Sequence, residues 1–331
     1  MTWWVKYVVA GSMLFAWCDA VAQRPCVAMF YNVENLMDAA NDVATYDDAM
    51  LPNADREWNE ARFQKKLSSV ARVVKDVALE HDFPALLALA EVENAMVLDR
   101  LVAEDAIAAA DYKYVHYDSP DERGIDVALL YRSDMFTVEH SRAVKADVEQ
   151  QTRDFLVVWG RLCGEPVLVV IVHFPSRIGG EKFTSLNRER CATQVRRLID
   201  EALEAEPQRA VIVMGDMNDN PRNRSVKHCL RSVSHPKRAA DGALFNPFYR
   251  INGSYHYRER WYQYDQILLS AHLLGEGGLS LVKSRGAYGY IFRADYMVDG
   301  RGRPSPTYRA TEYVGGVSDH LPVYVLLNKK M

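Results

Sequence analysis

Two clusters of polar residues border apolar runs in this chain. Asp216 and Asn218 come directly after the run Val211–Met214, and Asp319 and His320 come directly before another run. An aspartate and an asparagine two positions apart in extended chain point to the same side. Carboxylate and amide oxygens suit hard cations such as Mg²⁺, Mn²⁺ or Ca²⁺, and a histidine can hold or move a proton. The combination predicts metal-assisted attack on a phosphate ester.

Further polar residues lie at the ends of predicted strands. The apolar runs that predict strands are Val27–Tyr31, Ala85–Ala90, Val127–Tyr131, Phe155–Trp159, Val167–Val172, Val211–Met214, Gln266–Leu269 and Leu321–Leu327. The polar groups at carboxyl ends are Asn32, Glu91, His173 and Asp216, and those at amino ends are Asp265 and His320. If the last two strands run antiparallel to the others, all six groups meet along one rim of the core.

Each of these residues alone also has a purely structural interpretation. Asn32 is a plausible cap for the segment after it, and Asp216 and Asn218 precede an Asn-Pro turn. His173 before Phe-Pro is compatible with a buried core histidine. The conjunction of six such groups on one rim favours a functional site over six independent accidents.

The composition fits a single large α/β domain. The chain has 331 residues, of which 49% are hydrophobic, and a net charge of −4. This balance argues against a strong non-specific DNA binder. It does not exclude a nuclease, because bound divalent cations and a few local arginines can offset a modest acidic balance. Apolar spacing of three and four predicts helices around Phe63–Val77 and Leu186–Ala202, and more weakly after Asn94. The Gly- and Arg-rich segment Gly275–Pro306 is expected to be an irregular surface insertion.

The first 22 residues resemble an export signal. Lys6 precedes an apolar stretch from Val8 to Trp17, and Ala20-Val21-Ala22 supplies a small-x-small cleavage pattern before Gln23. A membrane-spanning helix is the alternative, but it needs roughly 20 apolar residues. We therefore expect a signal peptide over 1–22, a mature domain over 23–331, an exported (periplasmic or secreted) location and no stable membrane insertion.

Four cysteines remain in the mature chain: Cys26, Cys163, Cys191 and Cys229. Disulfides are possible in an exported protein, and four cysteines allow three connectivities. Their wide spacing fits no zinc site, so the sequence leaves the pairing open.

The polar blocks, taken in chain order, resemble the endonuclease/exonuclease/phosphatase superfamily, which includes deoxyribonuclease I. They are Asn32, Ala90-Glu91-Val92, Val172-His173-Phe174, Gly215-Asp216-Met217-Asn218, Tyr264-Asp265-Gln266 and Ser318-Asp319-His320. Phe30-Tyr31-Asn32-Val33-Glu34-Asn35-Leu36 and His173-Phe174-Pro175-Ser176-Arg177 are closer still to exported members from Bacteroides-like bacteria. The match spans nearly all of the mature chain.

This resemblance implies a four-layer α/β sandwich, in which two facing mixed β-sheets are flanked by helices. It also implies a role for each site residue. Glu91 is the expected principal ligand of Mg²⁺ or Mn²⁺, with Asn32 and Asp319 close by. Asp216 is expected to orient or deprotonate the attacking water, and Asn218 to hold the phosphate.

The resemblance implies that two histidines complete the site. Asp265 is expected to fix the tautomer of His320, which donates to the phosphoryl oxygens or shuttles a proton. His173 is expected to stabilise the transition state or to protonate the leaving oxygen.

The substrate is the least determined part of the prediction. Arg177 and Arg188 are candidates for phosphate contacts, and an aromatic cluster before Asp265 is a candidate for stacking on bases or packing against a lipid headgroup. A metal-dependent phosphodiesterase, most plainly a nuclease, is the first interpretation. A phosphomonoesterase or sphingomyelinase-like lipid phosphodiesterase is the second, and a non-catalytic binding protein on the same fold is the third. No protein partner is predicted.

Export makes a prediction about the mature N-terminus. If Ala22–Gln23 is the cleavage point, native protein recovered from the producing cell should begin at Gln23 or at its cyclised pyroglutamate form. N-terminal peptide mass spectrometry measures this directly. Intact Met1 in protein from the cell envelope would instead support a membrane anchor.

Overall fold

The computed structural model describes residues 25–240, 242–251, 253–275 and 277–329. The predicted signal peptide over 1–22 lies outside these residues. Within the described ranges, no helix combines the length and apolar character that crossing a bilayer requires.

The helices form where the apolar spacing places them. They are α1 (Glu60–Glu80), α2 (Ala95–Val102) and α3 (Glu181–Ala205). Asn59 and Asn94 begin α1 and α2 by accepting a backbone N–H from the first turn. The α1 stripe that includes Phe63, Leu67 and Val74 is fully buried, which confirms the predicted helix.

The strands are β1 (Cys26–Leu36), β2 (Leu86–Val92), β3 (Tyr112–His116), β4 (Asp126–Arg132), β5 (Phe136–Val144), β6 (Phe155–Leu162), β7 (Glu165–His173), β8 (Ala210–Asp216), β9 (Ser232–Val233), β10 (Leu244–Phe245), β11 (Tyr255–Tyr257), β12 (Arg260–Tyr262), β13 (Asp265–Leu269), β14 (Leu279–Leu281), β15 (Gly289–Ile291), β16 (Tyr308–Arg309), β17 (Glu312–Tyr313) and β18 (Val323–Lys329).

Most strands belong to two mixed sheets. The first has the order β14-β18-β1-β2-β4-β3, with β15 also paired to β18, and the second has the order β5-β6-β7-β8-β13-β10-β9. The pairs β1/β2 and β7/β8 are parallel. Strand β18 is antiparallel to β1, and β13 is antiparallel to β8. The predicted reversal of the last two strands is therefore confirmed.

Side-chain alternation divides the core into layers. In β1, Ala28 and Phe30 pack between the two sheets, whereas Met29 and Tyr31 face the layer of α1 and α2. In β8, Ile212 joins the inter-sheet core and Val213 packs towards α3. Because successive strand residues point to opposite faces, each sheet is covered on both sides. The predicted four-layer α/β sandwich is confirmed.

Two sequence expectations need correction. The segment Gly275–Pro306 is not wholly an irregular insertion, because β14 and β15 both pair with β18 and extend the first sheet. The sequence interpretation also omitted β3 and β5, which pair with β4 and β6 as edge strands. Both omitted strands are partly exposed and rich in polar residues, so no apolar run marks them.

Candidate active site

A cleft of about 890 Å³ opens where the strand ends of both sheets meet. The predicted site residues that line it are Glu91, His173, Arg177, Asp216, Asn218, Asp319 and His320. Asn32 and Asp265 are buried beneath it and hydrogen-bond to lining residues. The structure therefore brings the predicted rim together, with Arg188 as the exception.

The second sheet supplies three of these groups by simple alternation. His173, Asp216 and Asp265 are direct partners across β7, β8 and β13. Each is two residues from a side chain of the inter-sheet core, such as Met214 before Asp216. All three therefore continue the inner face of the sheet beyond its apolar part, which points them towards the other sheet.

Glu91 reaches the cleft by a different route. Its neighbour Leu89 faces the helix layer, so strict alternation would send Glu91 there as well. The backbone at Glu91 instead has φ +65°, and the β2 register shifts between Ala90 and Val92. Such a conformation is uncommon for a residue with a Cβ. The bulge turns the carboxylate into the cleft, where Oε2 accepts the Asn35 N–H at 3.0 Å.

Asn32 positions the carboxylates around it. Its amide nitrogen donates to Asp216 Oδ2 at 3.1 Å and to Glu91 Oε1 at 3.3 Å. Its oxygen accepts the Glu34 N–H at 3.0 Å, which fixes the orientation of the amide. Asn32 therefore orients Glu91 and Asp216, and its oxygen serves the local turn; its expected role as a metal ligand stays a prediction.

His320 and Asp265 form a buried pair that spans the two sheets. His320 Nδ1 lies 2.7 Å from Asp265 Oδ2, and the Ser254 hydroxyl donates to the same oxygen. His320 Nε2 faces the cleft, 3.7 Å from Asp216 Oδ2. Burial lowers the pKa of His320, but the charges of Asp265 and Asp319 and the hydrogen bond outweigh it and raise the pKa well above its usual value. These interactions favour the protonated form of His320.

His173 has the opposite character. Its Nε2 lies 3.6 Å from Asp216 Oδ2 and 3.9 Å from Glu91 Oε1, and its Nδ1 is buried without a hydrogen-bond partner among the residues that the structure describes. Burial, reinforced by the charges of Arg153 and Arg123, lowers the pKa of His173 well below its usual value. A neutral imidazole suits hydrogen-bond donation better than proton transfer to a leaving group.

Asp216 and Asn218 occupy the floor between the histidines. The Asn218 N–H donates to Asp216 Oδ1 at 2.8 Å, and the Asn218 amide nitrogen donates to the Phe174 carbonyl at 2.9 Å. Burial raises the pKa of Asp216 to about 6, with His320 opposing the shift and Asp265 adding to it. Asn218 has φ +48°, so a second strained backbone position serves the site.

Glu34 is a site residue that the sequence interpretation missed. It lines the cleft, accepts the Thr307 N–H at 2.7 Å and lies 3.8 Å from the buried Lys66 ammonium. Burial and the charge of Asp319 raise the pKa of Glu34 to about 7. The signal was present, because Glu34 follows Asn32 by the same two-residue spacing that links Asp216 and Asn218.

The two arginines behave differently from the expectation. Arg188 has 0% exposure and its Nε lies 3.0 Å from Asp219 Oδ2, so it cannot contact a substrate, and that assignment is wrong. Arg177 does line the cleft, but it donates to the Asn218 carbonyl at 2.7 Å and to Asp219 at 2.6 Å. Its primary structural effect is to hold the Asn218 loop.

A profile of the Endonuclease/Exonuclease/phosphatase family matches residues 26–329. This chain belongs to that family. Comparison with curated protein sequences gave no match.

Solved structures of the family share the fold at low sequence identity. An endonuclease/exonuclease/phosphatase from Bacteroides vulgatus is 15% identical, with a TM-score of 0.56 over 92% of this chain and 99% of that one. Truncated Caenorhabditis elegans TDP2 is 16% identical, with a TM-score of 0.56 over 91% and 97%. D. rerio TDP2 complexed with single strand DNA product is 17% identical, with a TM-score of 0.55 over 92% and 99%.

Endonuclease/exonuclease/phosphatase enzymes use divalent metal ions, and the donor set here fits one. Glu91 and Asp319 present oxygen ligands beside Glu34, which is the chemistry that Mg²⁺ and Mn²⁺ favour. Burial raises the pKa of Asp319 to about 6, with Glu91 adding to the shift and His320 opposing it. A divalent cation would relieve this repulsion between carboxylates.

A second grouping of potential ligands fits a metal less well. Single ligand atoms of Asp216, Asp265 and His320 lie within 4.8 Å of one another. Asp265, however, is fully buried, and one of its oxygens already accepts from both Ser254 and His320. A cation placed there would break the pair and leave no open position for substrate, so the Glu91 side is the better metal site.

The His320–Asp265 pair leads to a kinetic prediction. His320→Ala and Asp265→Ala should each lower kcat for phosphodiester hydrolysis on the order of 10²-fold or more, the usual range for positioned acid–base and electrostatic groups. The double variant should lose little beyond the worse single variant, because one unit cannot be lost twice. The Mn²⁺ concentration that gives half-maximal activity should change little in the two single variants and in the double variant.

Asp265→Asn keeps the shape of the buried side chain and controls for misfolding. Its circular dichroism spectrum at the assay temperature should match that of the wild type while kcat falls. A double-variant loss equal to the product of the single losses would show that Asp265 and His320 act independently.

Proposed function

We propose that this protein is a divalent-metal-dependent phosphodiesterase that hydrolyses nucleic-acid P–O bonds by attack of water. The observation that carries the proposal is the hydrogen-bonded His320–Asp265 pair directed at Asp216, beside the carboxylates of Glu91 and Asp319. This arrangement supplies both a site for a metal and a proton-handling group within one cleft. A merely structural ion pair would not need to open onto a cavity.

Asp216 is suited to orient and deprotonate the attacking water. It lies between the two histidines, with its oxygens held by Asn32 and the Asn218 N–H, and its raised pKa gives it more basicity than an ordinary aspartate. Asn218 and the neutral His173 are suited to donate hydrogen bonds to phosphoryl oxygens. His320, in its protonated form, stabilises the charge that develops there.

Mg²⁺ or Mn²⁺, held by Glu91 and Asp319, would polarise the phosphoryl group and offset its negative charge. Each remaining task falls to side chains of the chain itself: Asn32 fixes the two carboxylates and Asp265 fixes the histidine tautomer. The sparse protein ligand set suits a cation that retains water.

The cleft walls favour a polymeric nucleic-acid substrate. On one side Tyr255 stacks on His320 at 4.6 Å between ring centroids and on Tyr264 at 5.4 Å. The hairpin of β11 and β12 extends this wall with Tyr257 and Arg258. Aromatic faces beside arginines recognise unstacked bases and phosphates together. The fold is shared with a TDP2 complexed with single strand DNA product, which supports this choice.

We also propose, from the sequence of the first 22 residues, that the protein acts after export. A nuclease outside the cytoplasm would degrade nucleic acid of any origin. The N-terminal analysis described above tests this proposal separately from the activity.

Metal dependence can be tested at Glu91. Glu91→Gln keeps the side-chain shape but removes the charge, so the metal concentration for half-maximal activity should rise by at least about 10- to 100-fold, the range seen even for residues that support metal ligands. Excess Mn²⁺ should partly restore the rate. The measurement is hydrolysis of single- and double-stranded DNA and RNA against titrated Mg²⁺ or Mn²⁺.

Glu93→Gln is the matched control. Glu93 lies two residues away and is also buried, but it accepts the Asp38 N–H at 2.6 Å outside the cleft. Burial raises its pKa to about 7, so the neutral glutamine resembles a state that it already populates. Its metal dependence should be unchanged. Full wild-type activity in EDTA after metal removal would contradict the proposal, and no hydrolysis of any phosphate ester with either metal would indicate a binding protein.

The hairpin distinguishes nucleic acid from the alternative substrates. Tyr257→Ala should raise KM for a single-stranded oligonucleotide by about 5- to 100-fold, because stacking on one base contributes about 1–3 kcal/mol. The effect should vanish on the same oligonucleotide with abasic sugars. Trp261→Ala is the control, since Trp261 lies on the opposite face of the hairpin and lines a separate groove.

A parallel panel of sphingomyelin and inositol phosphates measures the second interpretation. The substrate would be a lipid or a monoester, not nucleic acid, if kcat/KM were higher on one of these than on every nucleic acid and Tyr257→Ala had no effect on any substrate. The proposal of metal-dependent chemistry would still stand.

A further inference from the structure

Two cysteines approach each other at the end of the sandwich away from the cleft. Cys26 opens β1, which runs from there to Asn32 in the site. Cys163 lies in the turn between β6 and β7, and β7 likewise runs from that turn to His173. The parallel strand directions of the two sheets thus place both cysteines at the opposite pole from the active site.

The two thiols are neighbours, because Cys163 packs against the apolar cluster that contains Cys26. Each thiol also shifts the pKa of the other, upward for Cys26 and downward for Cys163. Cys26 is buried in the inter-sheet core, and Cys163 packs against the same cluster while keeping partial exposure. One sulfur belongs to the first sheet and the other to a turn of the second, so a bond between them would join the two halves of the sandwich.

The turn holds Cys163 in one position. Its N–H donates to the Met135 carbonyl at 2.7 Å, and its own carbonyl accepts from Lys329 Nζ at 2.5 Å. Its φ of +51° is an uncommon conformation for a residue with a Cβ. A backbone fixed by two hydrogen bonds keeps the thiol next to Cys26 instead of letting it swing into solvent.

We propose that Cys26 and Cys163 form a disulfide bond when the protein is exposed to a thiol oxidant, and that this bond links the two sheets covalently. The proposal selects one of the pairings that the sequence leaves open. The other two cysteines, Cys191 in α3 and Cys229 in the turn beside it, lie in the layer outside the second sheet.

The chemistry is thiol–disulfide exchange with a small-molecule or protein disulfide. The Cys163 thiolate attacks one sulfur of the oxidant and releases a thiol, and Cys26 sulfur then displaces the second thiol to close the intramolecular bond. Two protein thiols are oxidised, one oxidant disulfide is reduced, and the two hydrogens leave on the released thiols. The neighbouring Cys26 thiol, opposed by burial and aided by Lys329, lowers the pKa of Cys163 to about 7, which suits the attacking role.

The experiment compares protein that has been treated with oxidised glutathione with protein that has been treated with reduced glutathione. Digestion and mass spectrometry without reductant should show the Cys26 and Cys163 peptides linked, with a loss of two hydrogens. Because the bond closes a loop of about 140 residues, the oxidised protein should melt on the order of 5 °C higher than the reduced protein.

Each variant is compared with itself, so an effect of the substitution on folding cancels. Cys163→Ser should abolish the difference in Tm between the two treatments, whereas Cys229→Ser should retain it. A link from Cys26 or Cys163 to another cysteine, a glutathione adduct on Cys163 that never resolves, or equal Tm values in the wild type would each overturn the proposal.

Discussion

The site depends on holding several carboxylates together at the edge of an apolar core. Glu34, Glu91, Asp216 and Asp319 share one cleft. Burial together with the charge of neighbouring carboxylates raises the pKa of Glu34, Asp216 and Asp319. Few cationic groups lie close enough to oppose this. His320 is one in its protonated form, which Asp265 favours, and Lys66 is another, buried against Glu34. A divalent cation would offset the remaining negative charge, so the repulsion between these carboxylates favours binding of a metal ion.

A second set of buried charges holds in place the loops that contain these groups. Arg153 binds Asp121 at 3.0 Å and the Phe174 carbonyl at 2.8 Å, which fixes the chain directly after His173. Arg188 binds Asp219 in the same way beside the Asn218 loop. Removing one partner of a buried pair leaves an uncompensated charge, which typically costs 3–5 kcal/mol. These arginines therefore act on the site through loop position without touching a substrate.

The sequence predicted most of the site because alternation carried the inner face of each strand into the cleft. His173, Asp216 and Asp265 follow that rule, and so does Asn32 after Phe30. Glu91 is an exception to it: its position at the end of a predicted strand placed it on the rim, but the left-handed backbone that turns it inward leaves no mark in the apolar pattern. The prediction that Arg188 contacts the substrate was wrong because a charged residue on a helix is usually solvated, and its buried partner Asp219 is distant in sequence. The edge strands β3 and β5 contain no apolar run, because an edge strand is partly exposed to solvent.

The His320–Asp265 pair also explains why the two sheets act as one unit. Asp265 begins β13 in the second sheet, whereas His320 precedes β18 in the first, so the 2.7 Å contact between them crosses the inter-sheet core. A hydrogen bond of this length tolerates only a few tenths of an ångström. Close-packed interiors transmit small displacements instead of absorbing them. Side chains such as Phe30 and Ile267, which pack between the sheets, therefore help to determine the geometry of the His320–Asp265 pair.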